Sequence, residues 1–313
     1  MNKNSELIVA LCSHICTPSD AKPLEPSEWS ALANKLMQKK IAPSDLFQYS
    51  QKDFVVNLDI DEMQAQRMLR LVDRMGSMSF ELSKYENIGI SIITRADEKY
   101  PKQLKRVLGN SCPPLFYCAG NLDILNTKSI GYVGSRNIND KDIDFAKKIV
   151  QKTVKNGYSI VSGGAKGVDT VAEDCGIELG ARVIEYLSDS MMKKIRTSSV
   201  VKAIQKNNLL LLSVVKPDAP FNTGIAMMRN RYIYAQSTAT VVVKADYNKG
   251  GTWNGAVENL KYSWCSELCW NNKEYKGNQE LISRGAIPID DEWDGNPDGL
   301  PSTSNPHQIN IFD

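Results

Sequence analysis

Apolar side chains in residues 1–85 recur every three or four positions, which is the spacing of amphipathic helices. Trp29, Leu32 and Leu36 form one such stripe, and Asp61 is placed to cap the helix that follows it. The stripes are short, and charged residues occupy the positions between them. This pattern predicts a small bundle of short helices, typical of a packing or interaction module.

From residue 128 onward, short apolar runs alternate with amphipathic helices. Strands are predicted at residues 129–133, 158–162, 182–187, 209–214, 238–245 and 267–270. The intervening helices begin near residues 140, 168, 199, 224, 252 and 278. Buried strands separated by helices are typical of an α/β fold with a doubly wound, mostly parallel sheet. Such sheets bind ligands beyond the carboxyl ends of their strands.

Charge is distributed unevenly along the chain. The 38 Lys and Arg residues slightly exceed the 36 Asp and Glu residues, which excludes a histone-like polycation. Every charged side chain from residue 286 onward is acidic, so the rest of the chain is moderately basic and suits an anionic ligand. Residues 290–313 also contain several prolines, and we expect them to form an acidic disordered tail.

The seven cysteines suggest reduced thiols. Cys12 and Cys16, like Cys265 and Cys269, are four positions apart, which fits neither a disulfide scaffold nor a zinc site. The two histidines lie in the flanking segments, so no metal site and no Ser-His-Asp set is expected. Without a secretory signal or an apolar segment of bilayer length, we expect a cytoplasmic location and no membrane contact.

Glycine-rich loops follow the first two predicted strands. Glycines let backbone N–H groups approach an anion, and a helix N-terminus and a cation strengthen its binding. The second loop is not a Walker A loop, because no Gly-Lys-Ser/Thr sequence follows, and structural turns are the alternative explanation for both loops. The residues assigned to phosphate binding here are Gly134, Ser135, Arg136, Ser162, Gly163, Gly164, Lys166 and Gly167.

Two further segments add candidate contacts. Arg229, Asn230 and Arg231 lie in a predicted helix rich in aromatic residues, a combination that suits phosphates and stacked bases, although a solvated helix face is the alternative. The loop after the fifth strand supplies Gly250, Gly251 and Thr252 at the start of another helix. The next residue, Trp253, would either stack on a base or pack against the sheet.

In combination these motifs resemble the DprA/Smf family of DNA-processing proteins. The resemblance extends over about residues 85–289. It rests on residues 134–136, on 162–169, on Phe221 followed by 229–231, on Tyr100-Pro101 before Pro113-Pro114, and on Gly277-Asn278 before Gly285-Ala286.

The family implies a helical SAM-like domain, here residues 1–85, followed by a Rossmann-like core, here residues 86–289. It implies a homodimer that binds single-stranded DNA, protects the strand and loads a RecA-type recombinase during transformation, recombination or repair. By correspondence with the family's motifs, Arg136 and Lys166 would contact phosphates of the DNA. Arg229 and Arg231 would line the same DNA-binding groove.

Two alternatives remain open. The wider SLOG superfamily includes nucleotide-sensing proteins, some of which would act in phage defence, and nucleoside-monophosphate glycosidases with a Gly-Gly-x-Gly-Thr-x-x-Glu motif. From Gly251 to Glu258 the overall separation fits that motif, but Gly255-Ala256 falls one position late. A hydrolase would use Glu258 and Asp169. We favour strand binding, without enzymatic activity and without a cofactor.

Overall fold

The computed structural model describes residues 1–300, and the chain forms two compact units. The first contains residues 1–120 and 212–219, and the second contains residues 121–211 and the chain from 220 onward. The expected boundary near residue 85 differs from this division, because the segment after it packs on the N-terminal helices. Thr94, for example, donates a hydrogen bond from its hydroxyl to that of Ser5 over 2.9 Å.

The first unit is mainly helical. Its helices are α1 (Lys3–Cys12), α2 (Pro26–Lys39), α3 (Gln51–Leu58), α4 (Glu62–Asp73), α5 (Met75–Asn87) and α6 (Lys102–Leu108). Strands β1 (Ser91–Thr94) and β2 (Leu115–Gly120) pair antiparallel. Arg74 is buried and donates to the carbonyl oxygens of Ala10, Ser13 and Ile15, which would otherwise be unpaired at the end of α1. The helical N-terminal region is therefore confirmed.

The chain from residue 121 onward alternates strands and helices. The strands are β3 (Ser129–Val133), β4 (Ser159–Ser162), β5 (Val183–Tyr186), β6 (Leu209–Ser213), β7 (Ala239–Val242), β8 (Ser266–Trp270) and β9 (Ile287–Ile289). The helices are α7 (Asp140–Lys155), α8 (Val168–Glu178), α9 (Met191–Lys194), α10 (Ser198–Gln205), α11 (Thr223–Gln236), α12 (Gly250–Tyr262) and α13 (Lys276–Ser283). The strands lie in the order β6–β5–β4–β3–β7–β8–β9, with parallel pairing from β5 to β9. The predicted α/β fold is confirmed.

The winding of the chain reverses at β3, which lies between β4 and β7. The Tyr132 hydroxyl is 2.7 Å from the Thr153 hydroxyl on α7, whereas a Cβ on the neighbouring Gly131 would lie 3.1 Å from Ile233 on α11. Adjacent strand residues point to opposite faces, so α7 and α11 cover opposite faces of the sheet. A crevice at the carboxyl ends of β3 and β7 is the topological switch point, where such sheets bind ligands.

Residues 290–300 pack along α7, which differs from the disorder expected for the whole acidic tail. Asp291 Oδ2 lies 2.9 Å from Lys148 Nζ, and Lys152 donates to the Asp291 carbonyl oxygen. The basic outer face of α7 thus attracts the acidic segment. Residues 301–313 of the expected tail lie outside the described residues.

The structure also bears on the membrane and metal expectations. Within residues 1–300, no helix has the length and apolar character needed to cross a bilayer. The same residues contain no cluster of three or more His, Cys, Asp or Glu side chains placed to hold a metal ion. All seven cysteines are free thiols.

Candidate functional site

A cavity of about 600 Å³ opens at the carboxyl ends of β3 and β7, at the switch point of the sheet. The loops after β3 and β4, the first half of α11 and the turn leading into α12 form its wall. The predicted residues in this wall are Gly134, Ser135, Arg136, Arg229, Asn230, Gly250, Gly251 and Thr252. Four chain segments that are distant in sequence therefore meet where the sequence pattern placed the site.

The loops after β3 and β4 touch through two glycines. A Cβ on Gly134 would lie 2.3 Å from Val168 Cγ2, and one on Gly167 would lie 2.3 Å from the Ser135 carbonyl oxygen. Gly167 also has a φ of +91°, which disfavours any other residue. These contacts place the backbone of Arg136 directly against Gly167, the residue after Lys166.

Arg136 and Lys166 are the exposed cations of these loops. Within residues 1–300 neither has a carboxylate at ion-pair distance, so both charges are available to a ligand. The Arg136 guanidinium lies over the ring of Phe221, 5.7 Å from its centroid, and the Phe221 side chain is 50% exposed. A cation beside an accessible aromatic face is an arrangement that suits a phosphate and an adjoining base.

The backbone amides of the loop after β4 differ from the expected phosphate cradle. Gly164 N–H donates to Glu173 Oε1 over 2.8 Å, and Ala165 N–H donates to Asp169 Oδ2 over 3.4 Å. Both acceptors belong to α8, which follows the loop. Carboxylates in the first two turns of α8 therefore occupy these two amides, which are not available to a phosphate.

None of the residues assigned in this loop lines the cavity wall, contrary to our expectation: Ser162, Gly163, Gly164, Lys166 and Gly167 all lie outside it. The Ser162 hydroxyl is buried and donates to the Tyr132 carbonyl oxygen over 2.9 Å. A Cβ on Gly163 would lie 1.2 Å from Arg229 Nη1, so this glycine makes room for a guanidinium. Ser162, Gly163 and Gly164 therefore serve packing. The Ser162 hydroxyl is already hydrogen-bonded, and a side chain at either glycine would overlap a neighbouring side chain.

A cluster of buried charges lies under the glycines. Arg229 is only 4% exposed, and its Nη1 atom is 3.7 Å from Asp169 Oδ2. Burial raises the pKa of Asp169 to about 6, although the charge of Arg229 opposes this shift. Lys194 Nζ lies 2.6 Å from Glu185 Oε1, and burial raises the pKa of Glu185. Arg229 therefore reaches the cavity wall from within this cluster.

Arg231 does not line the cavity, which corrects the expectation that it shares a groove with Arg229. Residues two apart on a helix point in nearly opposite directions, and Arg231 Nη2 instead lies 3.2 Å from Glu258 Oε1 on α12. Glu258 is likewise absent from the cavity wall, while Asp169 contributes to it. The two carboxylates that a hydrolase would use are thus not brought together in this cavity.

The N-terminus of α12 faces the cavity through Gly250, Gly251 and Thr252. Its first turn contains no acidic residue and has no side-chain cap, so the helix presents a partial positive charge there. Asn230 fixes this turn to α11 by donating to the Gly251 carbonyl oxygen over 3.1 Å. Trp253 is 3% exposed, so it packs in the protein and is not available to a base.

Sequence reasoning missed nine residues of the cavity wall, which are Val133, Asn137, Ala165, Thr223, Ala226, Met227, Asp246, Lys249 and Asn254. Asp246 follows β7, so the rule that ligands bind beyond the carboxyl ends of parallel strands also pointed to it. Met227 carries no such signal, because an apolar residue in a helix is ordinarily assigned to the core, yet its side chain is exposed here.

Comparison with known proteins places the chain in a family. The family model described as DNA recombination-mediator protein A matches residues 91–294. Protein Smf from Synechocystis is 28% identical over 234 residues, which cover 67% of this chain and 58% of the relative. DNA processing protein DprA from Streptococcus pneumoniae is 28% identical over 177 residues, covering 55% and 59% of the two chains. The match thus spans less than two thirds of the length of these relatives.

Two solved structures are also similar. The X-ray structure of DprA from Streptococcus pneumoniae has a TM-score of 0.64 at 20% identity and covers 85% of this chain and 95% of that chain. DprA from Helicobacter pylori, whose structure was described for its single-stranded DNA binding mode, has a TM-score of 0.55 at 27% identity, covering 64% and 90%. Since the family model matches more than half of the residues, this chain belongs to the DNA recombination-mediator protein A family, the DprA/Smf family that its motifs resemble.

Proposed function

We propose that this chain binds single-stranded DNA at the carboxyl edge of the parallel sheet. The observation that carries the proposal is the pair of exposed cations, Arg136 and Lys166, on two touching loops beside the exposed ring of Phe221. The single-stranded DNA described for the Helicobacter pylori relative supports it. The interaction would be electrostatic along the backbone, with one accessible aromatic face for a base.

The arrangement favours a single strand over a duplex for a physical reason. Bases can stack on Phe221 only if their faces are accessible, and a duplex hides those faces within its own stack. The uncapped N-terminus of α12 would add a site for a phosphate in another part of the cavity wall. The strand would therefore run across the cavity, with phosphates near Arg136 and Lys166.

The finer steps follow from membership in the family and are part of this proposal. The bound strand would be protected and passed to a RecA-type recombinase, in transformation, recombination or repair. The protein would act as a homodimer in the cytoplasm and would catalyse no reaction itself.

Titration of fluorescent oligo-dT and of a duplex at several salt concentrations tests the proposal. We expect the single strand to bind at least about tenfold more tightly, with log K falling by about 0.7 per log unit of salt for each phosphate neutralised. Free nucleotides should compete weakly, which separates strand binding from nucleotide sensing. Equal or tighter binding of the duplex would rule the proposal out.

A further inference from the structure

We propose that Glu173 is a positioning residue of the strand-binding loop after β4, acting through one proton that it shares with Glu185. The effect of Glu173 on DNA affinity rests on the proposed function. The shared proton itself is a property of the folded protein and can be measured without DNA. The proposal gives a role to carboxylates that lie outside the cavity wall.

Glu173 and Glu185 meet at a single glycine of the loop. Gly164 N–H donates to Glu173 Oε1 over 2.8 Å, and a Cβ on Gly164 would lie 1.9 Å from Glu185 Oε1. Gly164 has a φ of +65° and is two positions before Lys166. The two carboxylates, one from α8 and one from β5, therefore support the segment that presents Lys166.

The three buried carboxylates of this cluster, Asp169, Glu173 and Glu185, balance the charges of Lys194 and Arg229 only if one proton is bound. Lys194 pairs with Glu185 and Arg229 pairs with Asp169, which leaves Glu173 with no cation at ion-pair distance among the described residues. A buried carboxylate without a partner is unfavourable, and a bound proton removes its charge. The ionisable groups that face the two glutamates are Asp169 from α8, Asp189 from the loop after β5, Lys194 from α9 and Arg229 from α11.

The surroundings of Glu173 agree with this count. Its burial, and then the charge of nearby Glu185, raise the pKa of Glu173 well above its usual range. With one proton bound, the pair Glu173–Glu185 carries one negative charge, which Lys194 offsets. Loss of the proton in alkaline solution places an uncompensated negative charge directly under the loop of Lys166. That charge attracts Lys166 away from phosphate and opposes binding of the strand.

The affinity for oligo-dT measured from about pH 6 to about pH 9 tests the role of Glu173. We expect the wild-type affinity to fall about tenfold toward alkaline pH, from the added charge. In Glu173→Gln, which cannot ionise, this fall should disappear. Glu178→Gln is the matched control, because Glu178 is an exposed glutamate on the same helix, and it should keep the wild-type profile. Identical pH profiles for Glu173→Gln and the wild type would overturn the proposal.

Infrared spectroscopy tests the proton without DNA. The difference spectrum of wild type minus Glu173→Gln at neutral pH should contain the C=O band of a protonated carboxyl group, and this band should vanish at alkaline pH. Thermal melting of both proteins confirms that the variant is folded. If the band is missing although the variant is folded, the shared proton does not exist. If the band is present but no DNA binds at any pH, strand binding fails and the shared proton stands.

Discussion

Replacing Arg229 with methionine should lower the free energy of unfolding by about 3–5 kcal/mol at pH 8, because it leaves Asp169 buried without its cation. Arg231→Met is the matched control. Arg231 is partly exposed and pairs with Glu258 on the surface, so its loss should cost at most about 1 kcal/mol. Urea denaturation of the wild type and both variants measures the difference.

The loss of stability in Arg229→Met should be larger at high pH than at low pH. Burial raises the pKa of Asp169 from its ordinary 3.8 to about 6, so the folded protein binds this proton more tightly than the unfolded chain does. The stability linked to Asp169 is therefore complete at low pH and declines as pH rises to about 6. Without Arg229 the decline should continue to higher pH, so the variant loses more stability at pH 8 than at pH 5. A loss that is equal at both values, or no larger than that of Arg231→Met, would contradict this account of the cluster.

Replacing both Arg136 and Lys166 with alanine should weaken binding of oligo-dT at least about a hundredfold. Each side chain is expected to make a charged hydrogen bond to phosphate worth about 1.5–3 kcal/mol, and two such losses add when the groups share no partner. Both residues are exposed in loops, so the fold should be retained. Fluorescence anisotropy at fixed salt measures the affinity, and circular dichroism checks the fold.

The control for this pair is the double variant Arg182→Ala with Lys206→Ala. Both residues are exposed and precede strands β5 and β6, so they lie at the amino edge of the sheet. The control removes the same charge from the opposite edge and should change the affinity only a few-fold through long-range electrostatics. Equal losses in the two double variants would show that only net charge matters.

The sequence predicted the parts of the fold that depend on local periodicity. Strand β3 and the start of α7 at Asp140 coincide with their predicted positions, because buried runs and helix-capping residues are local signals. The position of the cavity agrees with the rule that ligands bind at the carboxyl ends of parallel strands. The outer limits of the compact units could not be predicted, because they depend on packing between segments such as Ser5 and Thr94 that are distant in sequence.

The candidate site was predicted less completely than the fold. A glycine-rich loop before a helix indicates open backbone amides, but here Glu173 and Asp169 of α8 accept hydrogen bonds from them. The spacing of the glycines does not indicate which side chains accept hydrogen bonds from these amides. Arg231, by contrast, could have been separated from Arg229 by helical geometry alone, since residues two apart face different directions.

Photo-crosslinking tests the location of the strand, which is the central claim, most directly. An oligo-dT carrying 5-iodouracil would be irradiated in complex with the protein, and the crosslinked peptides would be identified by mass spectrometry. The account predicts crosslinks in the loops that carry Arg136 and Lys166 and at Phe221, and their loss in the Arg136→Ala, Lys166→Ala double variant. Crosslinks found only in residues 1–120, or at the amino ends of the parallel strands, would contradict it.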